Sequence, residues 1–560
     1  MRSLLILLGA LVSLGCASSK NSTHFTSAAE LKKMMAQPKP VKVFTDATVS
    51  VDSWELAGAL PDSYADAPHE TGSLFAKTLA DAAAAKGFRT SEPLACVARQ
   101  TARFLALKGG PPPRGLSAFF EARCGIATRG VATRWLTGTV PVDFADAKLL
   151  EQWAADVTKT TESIASGARA GVAMWREGDK VVVALAHQRE ETTIEPVSMT
   201  PSEDGFIIVR GVTMRRADSI FGASNQGRTG TAECVNTEAR AAPAFELKCP
   251  VAKDDETAWV SISAREKGRV LGFQVVRLLA RPSGTAASTW KAPTLVSKVP
   301  GATATDFVSQ LNAVRTQVNA PAVTLSPAQT IDHTELAPFY FEAQVKNDDA
   351  QEDLIALGVM AGWRVEQEIM NGSFGAALIE GTTASELLAD LLESPGYRRH
   401  LLSPRVGVVA VGLFQEGPVL GALLSTYEPI QAPTWPDTAN KVLTALNGQR
   451  QRNGKKPVQW VLLPSTSEPT YAEAVSKREY DSKEALERFM SQATNVTRRG
   501  VRGWRIPVLN LDDITWPADI LSKEQLDVMF VVTTERDEQE PWGRYVLLMV
   551  ILEGTSQPET

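Results

Sequence analysis

SPGYRRHLLSP, residues 394–404, runs straight into RVGVVAVGLF. Ser394, Pro395 and Gly396 at one end, and Leu401, Leu402, Ser403 and Pro404 at the other, shape a helix end and its return into a sheet. Upstream, Thr383 and Glu386 form a capping box that opens the helix SELLADLLE, with Leu387, Leu388 and Leu391 as its apolar face. Downstream, RVGVVAVGLF and PVLGALLSTY read as two strands around a turn at Gln415, Glu416 and Gly417. With the helix DFVSQLNAVRTQV at 306–318, residues 300–430 read as one α/β domain.

Residues 439–560 repeat this plan. Leu446, Asn447 and Arg450 reproduce the L-N-x-x-R of Leu311, Asn312 and Arg315, and a Pro-Val follows in both. The segment closes on LDVMFVVTTE, a turn with Trp542 and Gly543, and RYVLLMVILEG. Residues 46–190 end in the same way. There a helix, DAKLLEQWAADVTKTTESIA, precedes GVAMWREGDKVVVALAHQ, two strands about a Gly-Asp turn. The pattern is one of internal duplication.

Residues 191–285 differ. GFIIVRGVTM, AFELKCPV, TAWVSISA and VLGFQVVRLLA alternate or are β-branched, without a helical period. They predict an immunoglobulin-like all-β sandwich. The stretches 280–293 and 431–438 read as linkers. The expected fold class is therefore α/β multidomain with one β-sandwich module, and 560 residues do need several cores.

The net charge of -6, with no long basic run, argues against nucleic acid as a partner. At the N-terminus, MRSLLILLGALVSLGC has one Arg and an apolar run too short to span a bilayer. This is the shape of a signal peptide, residues 1–15, and Cys16 after Gly15 resembles a bacterial lipobox cysteine. The reading predicts lipidation of Cys16, a tether over 16–45, and an exported protein anchored at the outer membrane. Of the other cysteines, Cys96 and Cys124 form one local pair and Cys234 and Cys249 another. An even number in an exported chain predicts two disulfides, each contributing about 2–4 kcal/mol. The second is expected to staple a peripheral hairpin or loop of the sandwich.

At 300–430 the motifs resemble those of the CAP superfamily in its bacterial SCP-like form: LNAVR…APAVTLSPA, MAGW at 360–363, and SPGYRRHLLSPRVGVVAVGLF. The resemblance implies an α-β-α sandwich. It also implies a cavity with two histidines and two glutamates, linked in the family to metal binding or proposed hydrolysis. Transferred by position, the histidine of the family's S-P-G-H-R is Tyr397, and the first-helix histidine falls at Leu336. The E-N-I glutamate falls near Ala377, Leu378 and Ile379. A phenol is a far poorer neutral-pH base or zinc ligand than imidazole. His400, three residues after Tyr397, together with His333 and Glu335, is the substitute set worth testing in the structure.

No G-x-S-x-G, H-E-x-x-H, Walker A or dinucleotide-binding glycine pattern occurs. NDDAQED at 347–353 reads as a solvated helix start, and His187 as a strand residue. Trp516 and Trp542 stand at turns where exposure would suit glycan binding. The expectation is a non-catalytic envelope lipoprotein without a cofactor that binds or scaffolds an envelope protein or glycan. The alternatives are a divergent CAP-type hydrolase or metal binder, and an adhesin.

Overall fold

The computed structural model describes residues 25–553 apart from 41–47, 69–73, 86, 163–167, 238–239, 267–268, 270, 283–287, 296–300, 432–436, 462–466, 510, 512–513 and 537–540. These residues fall into two compact units. One contains Thr26–Met360 and Ser373–Thr426; the other contains Ala361–Gly372 and the chain from Tyr427 onward.

Three four-stranded sheets follow one plan. The first has strands Arg89–Thr90, Val131–Thr139, Arg169–Glu177 and Lys180–Gln188. The second has Thr324–Leu325, Ile369–Glu380, Val408–Glu416 and Val419–Pro429. The third has Gln459–Trp460, Gly500–Val508, Asp527–Glu535 and Arg544–Glu553. Each is ordered first, third, fourth, second, with the short first strand parallel to the third. The same backbone bonds recur. The N–H groups of Arg89, Thr324 and Gln459 donate to the carbonyls of Ala168, Gly407 and Leu526. Two residues on, those of Ser91, Ser326 and Val461 donate to Ala170, Val409 and Val528. The duplication read from the last two segments is thus a triplication of topology.

Helices cover both faces of each sheet, which explains why the hairpin strands are apolar nearly throughout. In the first domain Val181, Val183 and Leu185 enter one core while Val182, Ala184 and Ala186 enter another. In the last, Val528, Phe530 and Val532 alternate with Met529 and Val531 in the same way.

The L-N-x-x-R residues do matching work in two copies. Asn312 Oδ1 accepts from Val323 N at 2.8 Å, and Asn447 Oδ1 from Val458 N at 2.8 Å. Arg315 and Arg450 are both 0 % exposed. Arg315 donates to the carbonyls of Pro321, Leu401 and Val406, and Arg450 to those of Lys456, Ile520 and Lys523. One guanidinium therefore ties the helix to two loops that flank the sheet.

The middle module is two antiparallel four-stranded sheets around one core. One sheet is ordered Val235–Asn236, Ala244–Pro250, Phe206–Thr213, Thr192–Ile194; the other Gly230–Glu233, Ser219–Gln226, Ala258–Arg265, Phe273–Ala280. Cys96 is bonded to Cys124, and Cys234 to Cys249. The second bond is not peripheral. Cys234 N donates to Gly222 O in one sheet, while Cys249 lies fully buried in the other, so the bond crosses the core.

Two expected connectors carry structure. Within 280–293, Thr289–Lys291 pairs antiparallel with Ser53–Glu55. Within the expected tether, Ala28–Met35 is a helix opened by a Ser27–Glu30 capping box. Leu31 is buried where a Cβ at Gly358 would come within 2.5 Å of it, so the glycine makes its seat. Thr26 Oγ1 donates to Leu354 O at 2.7 Å.

Candidate functional site

The segment quoted first forms the helix Pro395–Leu401, and its residues turn to different neighbours. Tyr397 is 1 % exposed and belongs to the same buried core as Ala377, Ile379, Leu391 and Val409. Its hydroxyl donates to the Ala376 carbonyl, and burial pushes the phenol above its ordinary range. Arg398 points into the β-sandwich module, donating to Leu392 O at 2.6 Å and to Gly227 O at 2.9 Å. Arg399 pairs with Glu233 of the same module. Beside them Asn225 Nδ2 donates to Glu393 O at 2.8 Å, and Trp259 Nε1 to Glu393 Oε2 at 3.1 Å. The motif position that chemistry would use is core, and the next two residues hold a neighbouring module.

His400, His333 and Glu335 are not assembled into one site. His400 is half-buried, and burial with the adjacent Arg399 charge holds its imidazole down to about 4. Its imidazole has no hydrogen-bond or ion-pair partner among the described residues. His333 is 0 % exposed. Its Nδ1 lies 2.8 Å from Gln329 O and its Nε2 2.8 Å from Ser425 Oγ. A carbonyl only accepts, so Nδ1 carries the proton and Nε2 accepts from the serine hydroxyl. Burial holds this ring down to about 4, so it is neutral at pH 7. Glu335 instead pairs with Lys39 at 2.6 Å, at the surface.

Ser425 was not foreseen. A serine bonded to a histidine is the first half of an activated nucleophile. Here both side chains are 0 % exposed, and the histidine is oriented by a backbone carbonyl instead of a carboxylate. No substrate carbonyl can reach Ser425 in this arrangement. Among the described residues no group of three or more His, Cys, Asp or Glu side chains is placed to hold a metal ion.

The remaining candidates behave as structural residues. Asp349 and Asp353 of the acidic stretch pair with Arg269 of the sandwich module at 2.5 and 2.8 Å. His187 is half-buried and held down to about 4, mainly by burial. Trp516 is 6 % exposed and Trp542 is half-buried, so the turn tryptophans offer no open platform. Cys16 lies outside the described residues. Among those residues no helix is long and apolar enough to cross a membrane.

One partly enclosed cavity of about 280 Å³ lies where the first α/β domain, the sandwich and the second α/β domain meet. Arg114 and Glu380 both line it and pair with each other: Nε to Oε1 is 2.9 Å, and the backbone N to Oε2 is 3.0 Å. Glu380 thereby serves the first turn of the helix Arg114–Arg123 from another domain. Glu121, Arg129 and Arg277 also line this space. Nothing in the local sequence marked these residues, because they come from three domains.

No protein-family model and no curated protein matches the chain. Among solved structures, a cysteine-rich secretory protein from Staphylococcus aureus is 12% identical, over 43% of this chain and 86% of its own, with a TM-score of 0.18. An extracellular protein containing a SCP domain from Bacillus anthracis is 11% identical, over 42% and 88%, with a TM-score of 0.15. Superpositions this loose carry no argument about site or activity. The resemblance to the CAP superfamily is one of sequence motifs within residues 300–430.

Proposed function

We propose that the chain is a non-catalytic cell-envelope protein, anchored at the outer membrane through a lipid on Cys16. In it, three divergent CAP-like domains and one immunoglobulin-like module scaffold an envelope protein or glycan. The observation that carries the reading is Tyr397. It replaces the family's histidine, is buried in the core, and commits its hydroxyl to a backbone carbonyl. The adjoining Arg398 and Arg399 join modules, as expected of a scaffold.

The immunoglobulin-like reading has support in the strand order. With Thr192–Ile194 as A and the strands lettered onward, skipping the short Val197–Ser198, the sheets read A-B-E-D and C′-C-F-G. The hydrolase alternative needs His400, His333 and Glu335 together, and they lie apart in function and exposure. The adhesin alternative needs open aromatic faces, and each described tryptophan is buried or half-buried.

Anchoring is tested by metabolic labelling with a palmitate analogue. The expected result is label on the wild type in the membrane fraction, and none on Cys16→Ala, which is recovered soluble. A Cys16→Ala protein that still labels, or a wild type that never does, would refute the anchor.

A further inference from the structure

The cavity between the three domains is lined by two charged residues whose side chains make no direct hydrogen bond or ion pair among the described residues. Glu121 and Arg277 both line it, yet their side chains form no ion pair with each other. Neither has a side-chain hydrogen-bond or ion-pair partner among the described residues. Arg277 stacks instead over the Trp259 ring, 4.1 Å from its centroid. Thr48 Oγ1, on the same wall, is buried without a hydrogen-bond partner. A half-buried acid and base sharing one space normally pair or are paired by something else. Here residues bearing an acceptor, a donor fork and a hydroxyl line a space large enough for about nine waters at roughly 30 Å³ each. Phe120, Ile126 and Trp135 complete its apolar wall.

We infer that this cavity binds a small zwitterion of amino-acid or dipeptide size, its carboxylate on Arg277 and its ammonium on Glu121. A guanidinium fork suits a carboxylate, and a carboxylate suits an ammonium. A simple anion would leave Glu121 facing like charge, and a simple cation would leave Arg277 so. The inference stands whether or not the non-catalytic reading holds, since it uses none of the CAP-family positions.

The site also has a proton signature. Burial pushes the Glu121 carboxyl up to about 7, against the opposing pull of the Arg277 and Arg129 charges. Arg114 is already paired with Glu380, and the carboxylates of Asp390 and Glu393 also act on Arg277. An ammonium set beside Glu121 stabilises its charged form, so binding expels the proton. At pH 7 about half a proton leaves per ligand, more near pH 6 and little above pH 8.

The test is isothermal titration of the mature full-length protein with L-leucine and with L-alanyl-L-alanine, in buffers of different ionisation enthalpy. Acetate and ethylammonium serve as half-ligands. At least one zwitterion should bind at least tenfold tighter than either half-ligand, with proton release at pH 7. Glu121→Gln should weaken that binding at least tenfold and abolish the release; Thr48→Val should weaken it less. Three results would each overturn the proposal: no zwitterion binding up to 10 mM, acetate binding as tightly as the zwitterions, or full affinity in Glu121→Gln. If Glu121→Gln fails to fold, proton release by the wild type decides: release supports the site, and zwitterion binding without it counts against.

Discussion

Replacing Arg315 by methionine is expected to destabilise its unit by about 3–5 kcal/mol, the range for breaking a buried charged interaction. The side chain is fully buried, and its contacts run to Pro321 O at 2.7 Å, Leu401 O at 2.5 Å and Val406 O at 3.0 Å. Each hydrogen bond to a charged group is worth about 1.5–3 kcal/mol, and methionine would leave all three carbonyls without that donor. Lysine should do little better, because a single ammonium cannot reproduce the planar fork. Arg450→Met should cause a matching loss in the other unit. Urea denaturation measures both. A loss below about 1 kcal/mol would mean that the carbonyls find other donors and that the guanidinium is no keystone.

The second large effect is expected at Tyr397. Changing it to histidine installs the residue of the motif that this stretch resembles, yet should cost about 3 kcal/mol or more, because a smaller polar ring enters a packed apolar site. Tyr397→Phe, which loses only the bond to the Ala376 carbonyl, should cost about 1–2 kcal/mol. The order of the two losses is the informative part. If histidine were tolerated better than phenylalanine, the position would be polar and partly open instead of core.

Much of this architecture was readable along the chain. The capping box at Thr383 and Glu386 appears as read, with Glu386 N bonded to Thr383 Oγ1 at 3.2 Å. The apolar hairpins and the repeated L-N-x-x-R also carry local signals, since periodicity and capping act within a few residues. The strand Ser219–Gln226 was missed because SIFGASNQ is short on apolar residues and shows no alternation; its partners Ala258–Arg265 and Gly230–Glu233 hold it. The helix Ala28–Met35 was missed because it has one buried anchor, Leu31, whose seat is more than 300 residues away at Gly358.

The site was harder to read than the fold. Position-by-position transfer located Tyr397 but could not show that its ring is core. His333 and His400 are close in sequence to positions of the resembled motifs, yet one is bonded to Ser425 and the other lies beside Arg399. Glu121, Arg277 and Glu380 meet only because three domains meet, and pairwise spacing along a chain holds no trace of that.

The central proposal is that residues 300–430, whose motifs resemble those of the CAP superfamily, carry none of that family's metal or catalytic chemistry. Equilibrium dialysis of the pure protein against zinc at pH 7.5 tests it most directly, with wild type, His333→Ala and His400→Ala side by side. The account predicts no stoichiometric zinc on any of the three, since the His333 lone pair is already taken by the Ser425 hydroxyl. One zinc per wild-type chain, lost in both histidine variants, would contradict it.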